Sequence, residues 1–410
     1  MKAVVFTLGC KVNACESQSI IKNLEDIGYE VSVDLSYADL YVINTCAVTK
    51  EAEKKSRQAI ARVKKFNKNA KIIVVGCASQ LNAKSFACKD GVSLVSGTVG
   101  KSQIYKNLDK TGLDVKELSE NYEYFAPPKQ VKTRAFIKIQ DGCNNFCSYC
   151  IIPYLRGRSR SRSIESIVEE IKSLTALEAV LTAINVTAYN YNGQDLACLI
   201  ENLQNVDIRI RLGSIEENAI NENLLNKLSK LKNFAPHFHL SLQSGSDKVL
   251  KDMNRKYDSQ GFLNGVNLIR KYFKNAGITT DVIVGYPTET SEDFLNTVTL
   301  CKKAKFSDIH PFVFSPREGT VAYKLKDLPA SEKKERLNAL IQLKNELKSE
   351  FILNNLGLEH EVILEEFDGV YTSGYTGNYI KVYVQGKLDS GSYKVTLNSA
   401  FNDGAIGTII

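Results

Sequence analysis

Phe136-Ile137-Lys138-Ile139-Gln140-Asp141-Gly142-Cys143-Asn144-Asn145-Phe146-Cys147-Ser148-Tyr149-Cys150 decides how the rest of this 410-residue chain is read. The apolar run 136–139 reads as a buried strand. The loop after it carries three cysteines at C-x-x-x-C-x-x-C spacing. Thiolates are soft ligands and suit zinc or an iron–sulfur cluster. A structural zinc site is closed by four ligands, and ferredoxin spacings also supply four cysteines. Three thiolates on a four-iron cluster leave one iron open. In a β/α barrel the active site lies at the C-terminal ends of the strands, where this loop falls.

Working downstream, strand candidates follow at 179–184, 208–212, 238–242, 280–284 and 309–314. Helical stretches at 164–174, 224–231, 262–273 and 292–303 separate them. Six β-α units predict a full or partial (β/α) barrel over residues 130–330. Polar residues punctuate the strand ends: Asn185 and Thr187, Ser214 and Glu216, Gln243 and Ser244, Ser315 and Arg317. On the same face as the cysteine loop, they favour a cofactor site.

Working upstream, residues 1–120 alternate strands (3–8, 40–44, 72–75, 92–95) with helical stretches (17–27, 51–65), the pattern of a parallel α/β sheet. Cys10, Cys46 and Cys77 each follow one of these strands. Open parallel sheets bind ligands at the carboxyl edge, so three thiols distant in sequence are expected to meet there. Cys15, Cys88, Cys198 and Cys301 lack such placement and read as packing residues. Residues 117–132, with Pro127-Pro128, read as a linker. Residues 331–355 form a charged connecting helix with Ser331 as its N-cap. Residues 356–410 hold short strands at 361–365, 379–384 and 393–398, expected to make a small antiparallel β-barrel.

A hydrophobic fraction of 43% and a charged fraction of 24% are those of a globular protein and exclude collagen, coiled coil and wholesale disorder. The longest apolar run, 72–78, is far short of the roughly 20 residues of a membrane helix. The opening Met1–Cys10 has too short an apolar stretch for a signal peptide. Ten cysteines without an export signal point to a reducing compartment, the cytoplasm. The formal charge is +7, and it is local. Between 127 and 162, Lys129, Lys132, Arg134, Lys138, Arg156, Arg158, Arg160 and Arg162 face only Asp141. The alternation Arg156, Arg158, Arg160, Arg162 reads as a strip that grips a phosphate backbone. The C-terminal segment sets three lysines against seven carboxylates. Its Tyr371, Tyr375, Tyr379 and Tyr383 read equally well as base-stacking or as core residues.

Ordered motifs along the whole chain resemble the radical S-adenosylmethionine methylthiotransferases. They are Thr7-Leu8-Gly9-Cys10-Lys11-Val12-Asn13, Asn44-Thr45-Cys46-Ala47-Val48-Thr49, Gly76-Cys77, the stretch from Lys138 through Cys150 to Tyr154, Arg211-Leu212-Gly213-Ser214-Ile215-Glu216, Leu240-Ser241-Leu242-Gln243-Ser244-Gly245 and Asp281-Val282-Ile283-Val284-Gly285. The opening motif and Ser159-Arg160-Ser161-Arg162 resemble the branch acting on N6-threonylcarbamoyladenosine in tRNA. Ala183 and Thr288 stand where the family often has glycine.

The resemblance implies that Cys143, Cys147 and Cys150 hold one 4Fe-4S cluster, whose open iron chelates S-adenosylmethionine, and that Cys10, Cys46 and Cys77 hold a second, which carries the sulfur. Tyr149 would lie beside the adenine of S-adenosylmethionine, with Ser214, Glu216 and Gln243 against the rest of that cofactor. One electron from the first cluster, fed by an electron donor, would break the sulfonium C–S bond and release a 5′-deoxyadenosyl radical. A second S-adenosylmethionine would methylate the sulfur, which attaches to C2 of adenine 37 in the tRNA anticodon loop. Isopentenyladenosine, or a ribosomal-protein aspartate, is the alternative substrate within the family. A metal-stabilised RNA-binding protein without catalysis is the alternative outside it.

Overall fold

The computed structural model describes residues 1–127 and 133–410. Pro128, Lys129 and Lys132, part of the expected linker and basic stretch, lie outside the described residues. The protein is α/β. Its N-terminal sheet has six parallel strands, in the order Glu30–Ser32, Lys2–Thr7, Leu40–Thr45, Lys71–Gly76, Val92–Ser96, Gly112–Asp114. The two outermost strands are three residues each and none of their residues is buried, so they carry no apolar run that periodicity would detect. The central strands are nearly all apolar because helices cover both faces.

The central region is an open barrel of parallel strands. Arg134–Asp141, Glu178–Ala183 and Arg209–Leu212 form one ladder, and Ser214–Ile215, His237–Gln243, Gly277–Val284 and Asp308–Val313 form the next. Phe238, Leu240 and Leu242 face the surrounding helices and the main core. His237, His239 and Gln243 alternate with them and face the lumen.

The connecting helix spans Ala330–Leu353, with Pro329 rather than Ser331 at its N-cap. Ser331 falls inside the first turn, because Pro329 is suited to the non-helical cap geometry and lacks only an N–H that has no helical partner there. The C-terminal domain is a closed five-stranded barrel. Its strands are longer than the apolar runs suggest: Glu359–Phe367 has nine residues and Gly391–Phe401 has eleven. Two strands carried no readable signal, Tyr371–Thr376 and Gly404–Ile409, because small and polar residues dilute their alternation.

One carboxylate docks this small barrel to the central one. Glu178 is fully buried and receives Arg134 Nε at 2.7 Å, Arg209 Nε at 2.7 Å and Arg211 through Nε and Nη2 at 2.9 Å. Arg209 and Arg211 donate onward to backbone carbonyls of Glu361, Tyr375, Thr376 and Gly377 in the small barrel. Burial works to raise the Glu178 pKa, but Arg211, Arg209 and Arg134 outweigh it and hold the carboxyl far below its ordinary range. A depressed folded-state pKa gives stability that is complete above the unfolded value and is lost as pH falls toward the folded one. Glu178→Gln is therefore expected to cost about 3 kcal/mol at pH 7. That difference shrinks below roughly pH 4. Urea unfolding at the two pH values measures it; an equal loss at both would remove the charge argument.

Candidate active site

The three N-terminal cysteines follow adjacent strands. Register pairs Thr7 with Asn44 and Thr45 with Gly76, so Cys10, Cys46 and Cys77 emerge side by side at the carboxyl edge. Gly9 has φ +109°, and a Cβ there would stand 2.9 Å from Cys46 Sγ. Only glycine lets the chain turn so close to that thiol. Burial, with Cys77 and Cys10 nearby, pushes the Cys46 thiol up to about 11.

The second set occupies the loop after Arg134–Asp141. Cys143 N–H donates to Gly157 O, and Cys150 N–H to Cys147 O. Asn254 Nδ2 donates to the carbonyls of Asn145 and Phe146, and Ser148 Oγ to that of Asp252. Burial, then Cys147, pushes the Cys150 thiol up to about 12. Gly142 sets the entry to this loop at φ +71°, and a Cβ there would lie 2.0 Å from Arg158 O. Gly142→Ala must displace backbone, so it is expected to abolish iron loading at this loop while the N-terminal set still loads. Iron per chain measures this; full loading would contradict the geometry.

A guanidinium touches each set. Arg255 Nη1 donates to Cys147 Sγ at 3.2 Å, and Arg156 Nε to Cys77 Sγ at 3.3 Å. Charge-assisted donors to ligand sulfur stabilise an anionic metal–thiolate centre. Three soft donors per set, each with a cationic neighbour, fit iron–sulfur clusters with an open iron. Within each set the thiols feel one another's charge. No three His, Cys, Asp or Glu side chains among the described residues form a single-ion site.

Of the expected cofactor contacts, Tyr149 and Gln243 come together. They line a cavity of about 200 Å³ with Val48, Thr49, Asp281 and Phe314. Val48 and Thr49 lie two and three residues after Cys46, and Tyr149 lies between Cys147 and Cys150, so the cavity borders the loops of both cysteine sets. Gln243 reaches it with φ +66°. Glu216 instead adjoins the cysteine loop, accepting from Asn145 Nδ2 at 2.8 Å and pairing with Arg255 at 2.7 Å. Ser214 is exposed and does not line the cavity. Arg255 and Asn145 escaped the sequence reading. Arg255 lies 108 residues from Cys147, and no spacing rule connects them.

The arginine strip is not a strip. Arg156 is 1% exposed, and its Nη1 pairs with Glu16 at 2.9 Å and Asp141 at 3.1 Å. Its Nη2 donates to Asn13 Oδ1 at 2.7 Å. Lys138 and Lys101 complete the same buried knot on Glu16. Arg162 is buried against Glu170 and Ser166, and Arg160 is half-buried against Asp141. Only Arg158 is exposed. The short helix Ile152–Arg156 carries Arg156 inward, and the bridge Asp141↔Arg160 turns the chain back, so alternation in sequence is not alternation at the surface. Arg158 lies 4.5 Å over the Phe146 ring, which meets Tyr154 edge-on.

The tyrosines divide as well. Tyr375 stacks on Tyr379, and Tyr379 on His237, at the junction of the two barrels. Tyr371 and Tyr383 cluster with Phe401. No helix is long and apolar enough to cross a membrane among the described residues.

Two family models match the chain: the Radical SAM superfamily over residues 137–301, and an uncharacterized protein family, UPF0004, over residues 2–97. The threonylcarbamoyladenosine tRNA methylthiotransferase MtaB of Thermotoga maritima is 37% identical, covering 99% of this chain and 96% of its own. That of Bacillus subtilis is 36% identical, covering 95% and 92%. The tRNA-2-methylthio-N(6)-dimethylallyladenosine synthase of Endomicrobium trichonymphae is 32% identical, covering 98% and 100%. Among solved structures, the radical S-adenosylmethionine methyltransferase TsrM of Kitasatospora setae superposes with TM-score 0.56 at 14% identity, covering 76% of this chain and 72% of its own. That likeness is one of fold. With relatives this similar over nearly full length, the chain belongs to the radical S-adenosylmethionine methylthiotransferase family.

Proposed function

We propose that this enzyme adds a methylthio group to C2 of N6-threonylcarbamoyladenosine at tRNA position 37, using two 4Fe-4S clusters and S-adenosylmethionine. The observation that carries the reading is a cavity that borders the loops of both cysteine sets, lined by Val48 and Thr49 from the first and Tyr149 from the second, with Gln243. When bound, a 4Fe-4S cluster held by Cys143, Cys147 and Cys150 would supply the electron for reductive cleavage of S-adenosylmethionine, and one held by Cys10, Cys46 and Cys77 would carry the sulfur to be transferred.

The chain's own residues orient and enclose. Tyr149, Ile283 and Phe314 give the cavity apolar walls that exclude water, and Gln243 offers an amide to the cofactor. Arg255 steadies Cys147 and ties it to Glu216. The buried knot of Glu16, Arg156, Asp141 and Lys138 fixes the N-terminal sheet against the barrel, so both thiol sets address one substrate. Arg158, Phe146 and Tyr154 present a cation and two rings beside the cysteine loop, suited to a phosphate and a splayed base. Ten free thiols fit a reducing cytoplasm.

The threonylcarbamoyl substrate is favoured by the names of the Thermotoga and Bacillus relatives. Dimethylallyladenosine is the second reading, favoured by a relative named for it that is 37% identical over 388 residues. Side-by-side assay of the two modified tRNAs decides. Methylthiolation of the dimethylallyl substrate alone would replace the first reading with the second.

A further inference from the structure

The floor of the central barrel holds three guanidiniums, and a fourth cation faces them. Arg134, Arg209 and Arg211 converge on Glu178, and Arg134 also pairs with Glu365. Lys11 is the fourth. It follows Cys10 and begins the helix Lys11–Asp26, which packs on the strands Arg134–Asp141 and Glu178–Ala183. The charges facing it are Arg211, Arg134, Glu178 and Asp281. Buried His237 also feels it. Asp281 lines the cavity that holds Tyr149 and Gln243, so Lys11 shares charged neighbours with both that cavity and the Glu178 floor.

Unlike the three arginines, Lys11 makes no hydrogen bond and no ion pair among the described residues, and it is open to solvent. Its carboxylate neighbours are already engaged: Glu178 by three guanidiniums, Asp281 by His239 Nε2 at 3.2 Å. Lys11 is therefore the one of these four cations without a direct carboxylate partner among the described residues. The threonylcarbamoyl arm ends in a carboxylate, whereas a dimethylallyl arm is a neutral hydrocarbon. C2 and the N6 arm flank the same ring nitrogen, so a group beside Cys10 is within reach of both.

On the reading that the substrate is N6-threonylcarbamoyladenosine, we propose that Lys11 binds the carboxylate of its threonyl arm and selects this nucleoside over neutral N6-modified adenosines. Lys11 is a binding and specificity residue.

The test uses the reconstituted enzyme and its Lys11→Gln and Lys11→Arg variants, with iron content and the paramagnetic resonance spectrum matched to the parent, since Lys11 adjoins Cys10. Substrates are anticodon stem-loops bearing the threonylcarbamoyl acid, its methyl ester, or dimethylallyladenosine. Lys11→Gln is expected to lower kcat/KM on the acid by about 10- to 100-fold, the factor of a charged hydrogen bond. Lys11→Arg stays within a few-fold. Esterification costs the parent the same factor and costs Lys11→Gln nothing further. Equal activity of parent and Lys11→Gln on the acid, or an ester penalty equal in both, overturns the inference while leaving the proposed function intact. Should Lys11→Gln fail to load iron, the ester penalty on the parent and on Lys11→Arg decides, and its absence overturns the inference. If the parent modifies only dimethylallyladenosine, the substrate reading fails, and this inference with it.

Discussion

Arg156→Gln is expected to destabilise the protein by about 4 kcal/mol, while Arg158→Gln, two residues away, changes stability by less than about 0.5 kcal/mol. Arg156 is sealed between Glu16, Asp141, Asn13 and Cys77. Burial works to raise the Glu16 pKa, and Arg156, Lys101 and Lys138 outweigh it and hold the carboxyl well below its ordinary range. Removing the guanidinium takes charged hydrogen bonds from Glu16, Asp141 and Asn13 inside the sealed knot and leaves one thiol without its donor. A neutral amide restores neither. Arg158 is exposed and rests on Phe146, so its loss is expected to show in tRNA affinity, with a shallower salt dependence. Denaturant unfolding of both variants, with binding titrations at two salt concentrations, checks the pair. Equal stability would mean that the knot does not hold the two domains together.

The second large effect separates the two thiol sets. Cys143→Ala is expected to abolish both 5′-deoxyadenosine formation and methylthiolation. Cys10→Ala is expected to keep the first and lose the second, because Cys10 lies on the sheet edge and takes no part in the loop that presents Cys147 and Cys150. Iron should fall by about half in each variant, one of the two three-thiolate sets being lost. Chromatography of the nucleoside products against iron content reads both. If Cys10→Ala lost 5′-deoxyadenosine as well, the division of labour between the sets would be wrong.

The parts legible in sequence were those carried by periodicity and local spacing. Parallel strands share a direction, so their ends in the sequence place Cys10, Cys46 and Cys77 at one edge. The cysteine loop was legible for the same reason, as its three thiols lie within eight residues. What stayed hidden depends on folding back. Arg156 and Arg158 look alike in sequence, yet a single helical turn and the bridge to Arg160 bury one and expose the other. Glu216 reaches the loop from a strand end, and Arg255 from the turn between the helices Asp247–Asp252 and Ser259–Tyr272. The strands Tyr371–Thr376 and Gly404–Ile409 close the small barrel with residues too small or polar to register as apolar alternation. Lys11 sits inside a recognisable motif, but only the packing of its helix shows which charges it faces.

The most direct test of the account is anaerobic. Reconstituted enzyme is given S-adenosylmethionine, dithionite and a tRNA bearing N6-threonylcarbamoyladenosine, and the digested RNA is analysed by mass spectrometry. The account predicts a methylthio group on that nucleoside, formed together with 5′-deoxyadenosine and absent in both Cys10→Ala and Cys143→Ala. Formation of 5′-deoxyadenosine with the nucleoside unchanged would contradict it, leaving a working radical site with a different substrate or a different source of sulfur.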